Sequence, residues 1–133
     1  MSWPVQHVSI SINRTPDKVY AYAAKPENLP EWAAGLSGSI RRVGETWVAD
    51  SPMGQVKIRF APENSFGILD HDVTLPNGEV VHNPMRVLRN DTESEVVFTL
   101  FQRPGMSLEN LQSDANQVFE DLLKLKMILE EKD

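Results

Sequence analysis

The stretch 107–129, SLENLQSDANQVFEDLLKLKMIL, decides the fold because it carries the longest helical pattern in the chain. Its apolar positions recur at alternating spacings of four and three residues, which places them in one stripe along a helix. Ser107 is a suitable N-cap, since its hydroxyl can accept a hydrogen bond from an unpaired amide. A helix of about 23 residues would be about 35 Å long, enough to cross a sheet of six or seven strands. The stripe consists of Leu111, Ala115, Val118, Leu122, Leu125 and Leu129.

The residues before this helix alternate as strands do. In the segment 8–12, apolar side chains occupy every second position, the period typical of a half-buried strand. Turn compositions separate six later segments of strand character, at 39–43, 46–51, 55–61, 68–74, 79–88 and 93–102. Because the links between these segments are short, consecutive strands should pair as an antiparallel meander.

Two short helices are expected after the first strand. Thr15 is a suitable N-cap, and Pro16 and Asp17 suit the first helical turn, so a helix is predicted over 16–24. Pro26 and Pro30 interrupt that helix because proline lacks an amide hydrogen, and a second helical turn is predicted over 30–34. The elements together predict an α+β fold in which a curved antiparallel sheet of about seven strands packs against the long C-terminal helix.

Composition bounds the protein class. A chain of 133 residues, with 41% hydrophobic and 24% charged residues, fits a single globular domain spanning 1–133. A net charge of −6 opposes binding to nucleic acid, which depends on cationic neutralisation of phosphates. The absence of cysteine favours a reducing compartment, and the N-terminus resembles no signal peptide, so we expect a cytoplasmic protein. No apolar run approaches the length of a membrane helix, which argues against membrane insertion.

Four segments carry a family resemblance. The segment 25–32, KPENLPEW, resembles a signature of the SRPBCC superfamily (START-like and Bet v1-like proteins), with Lys25 in place of the usual acid. The segments 66–71, 83–87 and 95–101 resemble bacterial members labelled polyketide cyclase or dehydrase-like. The resemblance spans nearly the whole chain and implies the helix-grip fold. The superfamily includes lipid and hormone binders, aromatase/cyclases, ring-hydroxylase subunits and chaperone activators, so the resemblance leaves the activity open.

Strand pairing ranks the residues that would face a ligand. A hairpin centred on residues 64–65 pairs Phe60 with Leu69 and Ile58 with His71, which turns His71 inward and leaves Asp70 and Asp72 on a solvated outer edge.

The hairpin at residues 90–91 and the loop at 76–78 extend this pairing. The hairpin pairs Arg86 with Glu95 as an outward ion pair, and it sets Met85, Asn83 and Val81 opposite Val96, Phe98 and Leu100 inside. A three-residue loop at 76–78 then places His71 beside Asn83. A two-residue loop would instead turn His82 and Arg86 inward.

Each inward residue has a functional and a structural interpretation. His71 is a candidate polar anchor or catalytic acid/base, or a core histidine bonded to Asn83 or backbone. Asn83 and Gln102 could fix a ligand carbonyl or hydroxyl, or bond to each other. The candidate apolar wall, which could equally be plain core, consists of Trp32, Trp47, Met53, Met85 and Phe98. The resemblance places Trp32 between the short helices and the sheet. Residues 103–106 could act as a gate or as an ordinary linker.

Motifs for other chemistry are missing from the sequence. His7, His71 and His82 do not form HExxH spacing, so no zinc site is expected, and no nucleotide fingerprint or G-x-S-x-G elbow occurs. No cofactor is expected. The leading hypothesis is a binder of a hydrophobic small molecule. The alternatives are a polyketide cyclase or dehydratase with His71 as general acid/base, and a protein-interaction module with a filled interior and an exposed apolar patch. A homodimer is a further expected state.

Overall fold

The structure, a computed structural model, describes residues 1–36 and 38–131. Three α-helices occur in these residues: α1 (Pro16–Ala23), α2 (Leu29–Trp32) and α3 (Leu108–Glu131). The strands are β1 (Val5–Ile12), β2 (Ile40–Val43), β3 (Thr46–Ser51), β4 (Gly54–Phe60), β5 (His71–Thr74), β6 (Val80–Asn83), β7 (Met85–Asn90) and β8 (Glu93–Phe101). The α+β fold with antiparallel strands, short helices after β1 and a long C-terminal helix across the sheet is confirmed.

The strands form two hydrogen-bonded sheets. Strands β2 to β6 follow one another in a five-stranded sheet, and a three-stranded sheet has the order β1-β8-β7. The chain changes sheets at Pro84, which divides the predicted strand 79–88 into β6 and β7, so the prediction of one continuous strand was wrong. Proline cannot donate a hydrogen bond to a neighbouring strand, although the Pro84 carbonyl accepts one from the Thr99 amide at 2.9 Å.

Helix α3 packs on β1 and β8 and also contacts α2. The Ser107 hydroxyl accepts a hydrogen bond from the Asn110 amide at 3.0 Å, which confirms the predicted N-cap. The predicted stripe is buried except for Val118, which is half-buried. Within residues 1–36 and 38–131, no helix has both the length and the apolar character that crossing a bilayer requires.

The β4–β5 hairpin has a different register from the one predicted. Phe60 pairs with His71, and Ile58 pairs with Val73, so each predicted partner is displaced by two residues. Residues 61–70 form a longer connection than expected because Asn64 organises them. Its side-chain oxygen accepts hydrogen bonds from the amides of Phe66 and Ile68, at 2.9 and 3.1 Å.

The β7–β8 hairpin is also displaced by two residues. Met85 lies opposite Phe98, not Val96, because the chain turns at residues 91–92, with Asp91 in the left-handed region at φ 56°. The predicted Arg86–Glu95 ion pair is therefore wrong. The Arg86 guanidinium instead binds Asp70 through two hydrogen bonds of 2.8 Å, and the Met85 amide donates to the same carboxylate.

The sequence predicted that Asp70 lies on a solvated outer edge, but only 19% of its side chain is exposed. The hydrogen bonds from Arg86 lower the pKa of Asp70. The carboxylate therefore fastens the connection before β5 to the start of β7.

Candidate functional site

Two spaces lie between α3 and the sheets. The smaller and more enclosed one, the inner chamber, has a volume of about 200 Å³ and lies between α2, α3 and strands β4, β5 and β8. The larger one, the outer cleft, has a volume of about 550 Å³ and lies between β6, β8, residues 103–106 and α3. Phe98, Gln117 and Val118 line both, so the two spaces adjoin.

His71 is the first residue of β5 and faces the inner chamber. Its ring stacks on Phe60 at a centroid distance of 4.9 Å and meets the edge of Phe98 at 5.8 Å. Nδ1 lies 3.0 Å from the Leu69 carbonyl oxygen. Because a carbonyl can only accept, Nδ1 carries the proton in this contact. His71 is half-buried, and its burial lowers the pKa of the imidazole below 6.5.

Trp32 lines the same chamber. It is the last residue of α2, with 5% of its surface exposed. Its Nε1 is buried, and no group in the described part of the chain accepts a hydrogen bond from it. A buried indole N–H normally has a partner. This unpaired donor is buried in the wall of the chamber and is not exposed to its open space.

Asp121 on α3 forms the polar border of the inner chamber. One of its carboxylate oxygens accepts hydrogen bonds from the Ala34 amide at 3.2 Å and from the Gln117 side chain at 2.9 Å. Burial raises the pKa of Asp121 despite these hydrogen bonds. The carboxylate thus joins α3 to the segment after α2 while it is partly removed from water.

The outer cleft is closed on one side by an ion pair. Arg103, in the segment between β8 and α3, binds Glu79, which precedes β6. Asn83 lines the cleft, and within the described residues its side-chain amide has no hydrogen-bond partner. Asp114 is at the cleft as well, where burial raises the pKa of its carboxyl group. Residues 103–106 thus border the cleft, as the gate hypothesis requires, although their movement stays a prediction.

Four predicted site residues line the two spaces. His71 and Trp32 line the inner chamber, Asn83 lines the outer cleft, and Phe98 lines both. The predicted pairing of His71 with Asn83 across β5 and β6 is confirmed. This pairing excludes the alternative register with His82 and Arg86 inward. His82 is exposed, bonds Asp72 at 2.6 Å and also borders the outer cleft.

The remaining predicted site residues lie elsewhere. Met53 is 68% exposed in the β3–β4 turn, so its placement in an inward wall was wrong. Met85 is fully buried core, and Trp47 packs against the core from β3; neither lines the chamber or the cleft. The Gln102 side chain donates to the Met106 carbonyl at 2.9 Å, which closes the turn before α3 instead of facing a ligand.

Gln117 was not found from the sequence, and Val118 was assigned only to the core stripe. Val118 is part of that apolar stripe, and nothing in the helical period separates a stripe residue that contacts the sheet from one that borders a space. Gln117 lies beside the stripe and is exposed, so its pattern is that of an ordinary surface residue.

The site offers apolar walls and a neutral imidazole. Nε2 of His71 is unprotonated when Nδ1 holds the proton, so it can accept a hydrogen bond or a proton. Among residues 1–36 and 38–131, no three His, Cys, Asp or Glu side chains are grouped closely enough to hold a metal ion. The arrangement is thus suited to holding an apolar molecule that carries few polar groups.

Solved structures share this fold at low sequence identity. XoxI from Bacillus cereus has a TM-score of 0.75 at 15% identity, over 97% of this chain and 96% of that chain. The Aha1 dimer from Colwellia psychrerythraea has a TM-score of 0.75 at 16% identity, over 96% of both chains. DynU16, a protein of the dynemicin biosynthetic locus, has a TM-score of 0.73 at 14% identity, over 95% of this chain and 47% of that chain.

This chain therefore spans about half the length of DynU16. No protein-family model matches the chain, and no curated protein does so. Identities this low show the fold alone, and that fold is the one the SRPBCC resemblance implied.

Proposed function

We propose that this protein binds a hydrophobic small molecule, of lipid, polyketide or aromatic type, in the inner chamber and the outer cleft. The observation that supports this most directly is the pair of adjoining spaces between sheet and helix, which share Phe98 and Val118 as apolar walls. Ligand sites commonly have volumes of about 300 to 1,000 Å³, a range that includes the outer cleft. Asn83 and His71 would then supply the few polar contacts that orient a ligand.

A filling substitution tests the proposal. Val118→Trp places a large side chain where the two spaces adjoin, whereas Phe119→Trp adds an indole to an exposed position next to it on α3. Native mass spectrometry of the purified protein, together with thermal shifts against a panel of fatty acids, sterols and aromatic compounds, measures binding. We expect one ligand class to raise the melting temperature of wild type and of Phe119→Trp by several degrees, because a ligand stabilises the state it binds.

Val118→Trp should lose that shift while remaining folded by circular dichroism. The proposal fails if no compound binds the wild type, or if Val118→Trp binds as well as Phe119→Trp does.

An enzyme of the cyclase or dehydratase type is the second candidate, and the geometry of His71 favours it. A neutral imidazole that lines an apolar chamber can act as a general base. A linear poly-β-ketone thioester is a suitable probe, since cyclisation with dehydration releases one water that mass spectrometry detects. We expect His71→Gln to slow that conversion by about 100-fold, the lower end of general-base effects. Conversion by the wild type no faster than in buffer, or full conversion by His71→Gln, refutes this candidate.

The interaction-module hypothesis predicts a filled interior, which the two spaces do not match. A homodimer and a cytoplasmic location remain predictions. Light scattering on the purified protein checks the first, and cell fractionation checks the second.

A further inference from the structure

The lining of the outer cleft carries more negative than positive charge. It includes two carboxylates, those of Glu79 and Asp114, and one guanidinium, that of Arg103. Arg103 is bound to Glu79, so these two charges neutralise each other. His82 also lines the cleft, but its ring is bonded to Asp72 at 2.6 Å. Asp114 is left without an ion-pair partner in the part of the chain that the structure describes.

Asp114 lies on the face of α3 that borders the outer cleft. Gln117 and Val118 follow it by three and four residues, a spacing that places all three side chains on one face, and all three line the cleft. Because Asp114 is exposed, a ligand in the cleft can reach it. Within residues 1–36 and 38–131, no group donates a hydrogen bond to its carboxylate.

The surroundings of Asp114 disfavour an unpaired negative charge. Partial burial raises the pKa of its carboxyl group, although the positive charge of Arg103 opposes that rise. A ligand that brings a positive charge to this carboxylate stabilises its charged form. The cleft therefore offers a free anionic group beside apolar walls.

Aromatic side chains form part of those walls. Trp3 and Phe101 meet edge to face with ring centroids 6.4 Å apart, and Phe98 lines the same cleft. The face of an aromatic ring attracts a cation and repels an anion. The aromatic walls and the Asp114 carboxylate thus favour the same sign of charge on a ligand.

An anionic head group finds no free cation in this lining. A ligand carboxylate would have to displace Glu79 from Arg103, and it would approach Asp114, whose charge repels it. A neutral head group keeps the apolar contacts but leaves the Asp114 charge unbalanced. A cationic head group keeps those contacts and pairs with Asp114.

We propose that the outer cleft binds a cationic amphiphile, an amine on an apolar chain or ring, with its ammonium group at Asp114 and its apolar body against Phe98 and Leu100. This inference rests on the proposed function and specifies the charge of the ligand that the outer cleft takes.

Titrations with octylamine, octanol and octanoate test the inference, because the three share one alkyl chain and differ in the head group. At pH 7 the first is positively charged, the second neutral and the third negatively charged. Isothermal titration calorimetry measures binding to the wild type, to Asp114→Asn and to Glu120→Gln. Asp114→Asn removes the charge and keeps the size of the side chain. Glu120→Gln is the matched control, since Glu120 is exposed on the same helix and lines neither space.

The wild type should bind octylamine about fivefold more tightly than octanol, the effect of one partly exposed ion pair. Octanoate should bind more weakly than octanol. Asp114→Asn should bring the affinities for octylamine and octanol within about twofold of each other and leave octanol binding unchanged. Glu120→Gln should keep the preference for octylamine, because solvent and salt screen a charge that is outside the cleft.

The outcomes separate the two claims. Equal binding of octylamine and octanol by the wild type, or tighter binding of octanoate, overturns the amine site and leaves the proposed function in place. A preference for octylamine that both variants reduce equally also overturns it, because the net charge of −6 would then be the cause. Absence of binding by all three compounds overturns the amine site and counts against ligand binding at the outer cleft itself. The ranking is measured on the wild type, so the inference stays testable even if Asp114→Asn fails to fold.

Discussion

Helix α3 lies over two sheets, and the two interfaces differ. Against β1 and the first half of β8 in the three-stranded sheet the side chains are packed: Ile12, Val96 and Leu125 belong to one buried cluster and have no exposed surface. Towards the five-stranded sheet the same helix borders the inner chamber and the outer cleft, and Val118 is only half-buried. One apolar stripe of α3 thus packs into the core along part of the helix and lines an open space along another part.

The chain's change of sheet at Pro84 accounts for the difference. β6 and β7 are consecutive in sequence but belong to different sheets, so the five-stranded sheet departs from the three-stranded one at this residue. Because α3 contacts β1 and β8 closely, it cannot follow the other sheet as well. We therefore expect the packed half to contribute most of the stability and the open half to hold the proposed ligand.

The largest expected change in the free energy of unfolding comes from a substitution in the packed half. Leu125→Ala should lower the free energy of unfolding by about 4 kcal/mol, because it removes fully buried methyl groups and leaves a cavity. Val118→Ala should lower it by less than about 1 kcal/mol, because the side chain is half-buried and adjoins existing space. Urea unfolding of both variants measures the contrast. Equal losses would show that the two interfaces are packed alike.

The next effect concerns the junction between the sheets. Gly67 has φ 73°, and a Cβ there would lie 2.3 Å from the Val87 carbonyl oxygen. Gly67→Ala should therefore lower the free energy of unfolding by about 3 kcal/mol, through backbone strain and the clash together. Gly78, at φ 91° with no atom near its Cβ position, is the matched control, and Gly78→Ala should cost only about 1 kcal/mol. Similar costs for both would mean that the segment before β5 can move away from β7.

A smaller effect is expected in the pH dependence of stability. Burial lowers the pKa of His71 below its value in the unfolded chain, about 6.5. As the pH falls below 6.5, the unfolded chain takes up a proton that the folded protein resists, so the free energy of unfolding decreases. Urea unfolding between pH 7 and pH 5 should show this decrease in the wild type and a shallower slope in His71→Phe. Identical slopes would place His71 in contact with bulk solvent.

The smallest expected effect is at Asp121. Burial raises the pKa of its carboxyl group, so the charged form is disfavoured in the folded state at neutral pH. Asp121→Asn keeps the acceptor for the Ala34 amide and removes the charge, and it should raise the free energy of unfolding at pH 7 by less than about 1 kcal/mol. Glu120→Gln removes one charge from an exposed neighbour and serves as the control. A loss of stability specific to Asp121→Asn would mean that the carboxylate charge is needed.

The sequence predicted the faces of the strands better than their partners. Asn64 and Asp91 each displace a hairpin by two residues, and because side chains alternate with a period of two, such a displacement changes every partner but no face. His71 therefore faces the chamber as predicted, although it lies opposite Phe60 and not Ile58. Side-chain hydrogen bonds inside the 61–70 connection set this register, and the alternation of apolar residues in the sequence does not reveal these bonds.

The site itself was predicted only in part. The inward position of Phe98 and the neighbouring positions of His71 and Asn83 follow from alternation and one loop length. The chamber role of Val118 depends on how far α3 lies from β4 and β5, which is set by packing on the opposite sheet. Met53 was misplaced because the sequence alone does not distinguish a methionine in a tight turn from one in the wall of a cavity.

The most direct test of the central claim is a methyl chemical-shift map recorded during titration with toluene. Probes of the open half are the methyl groups of Ile58, Val118 and Leu122, which line the inner chamber. Probes of the packed half are those of Ile12, Val96 and Leu125, which do not. If ligands enter only the open half, the first set shifts with a saturable dependence on toluene and the second stays in place. Equal shifts in both sets, or no shift in either, would contradict the division of this fold into a packed half and a binding half.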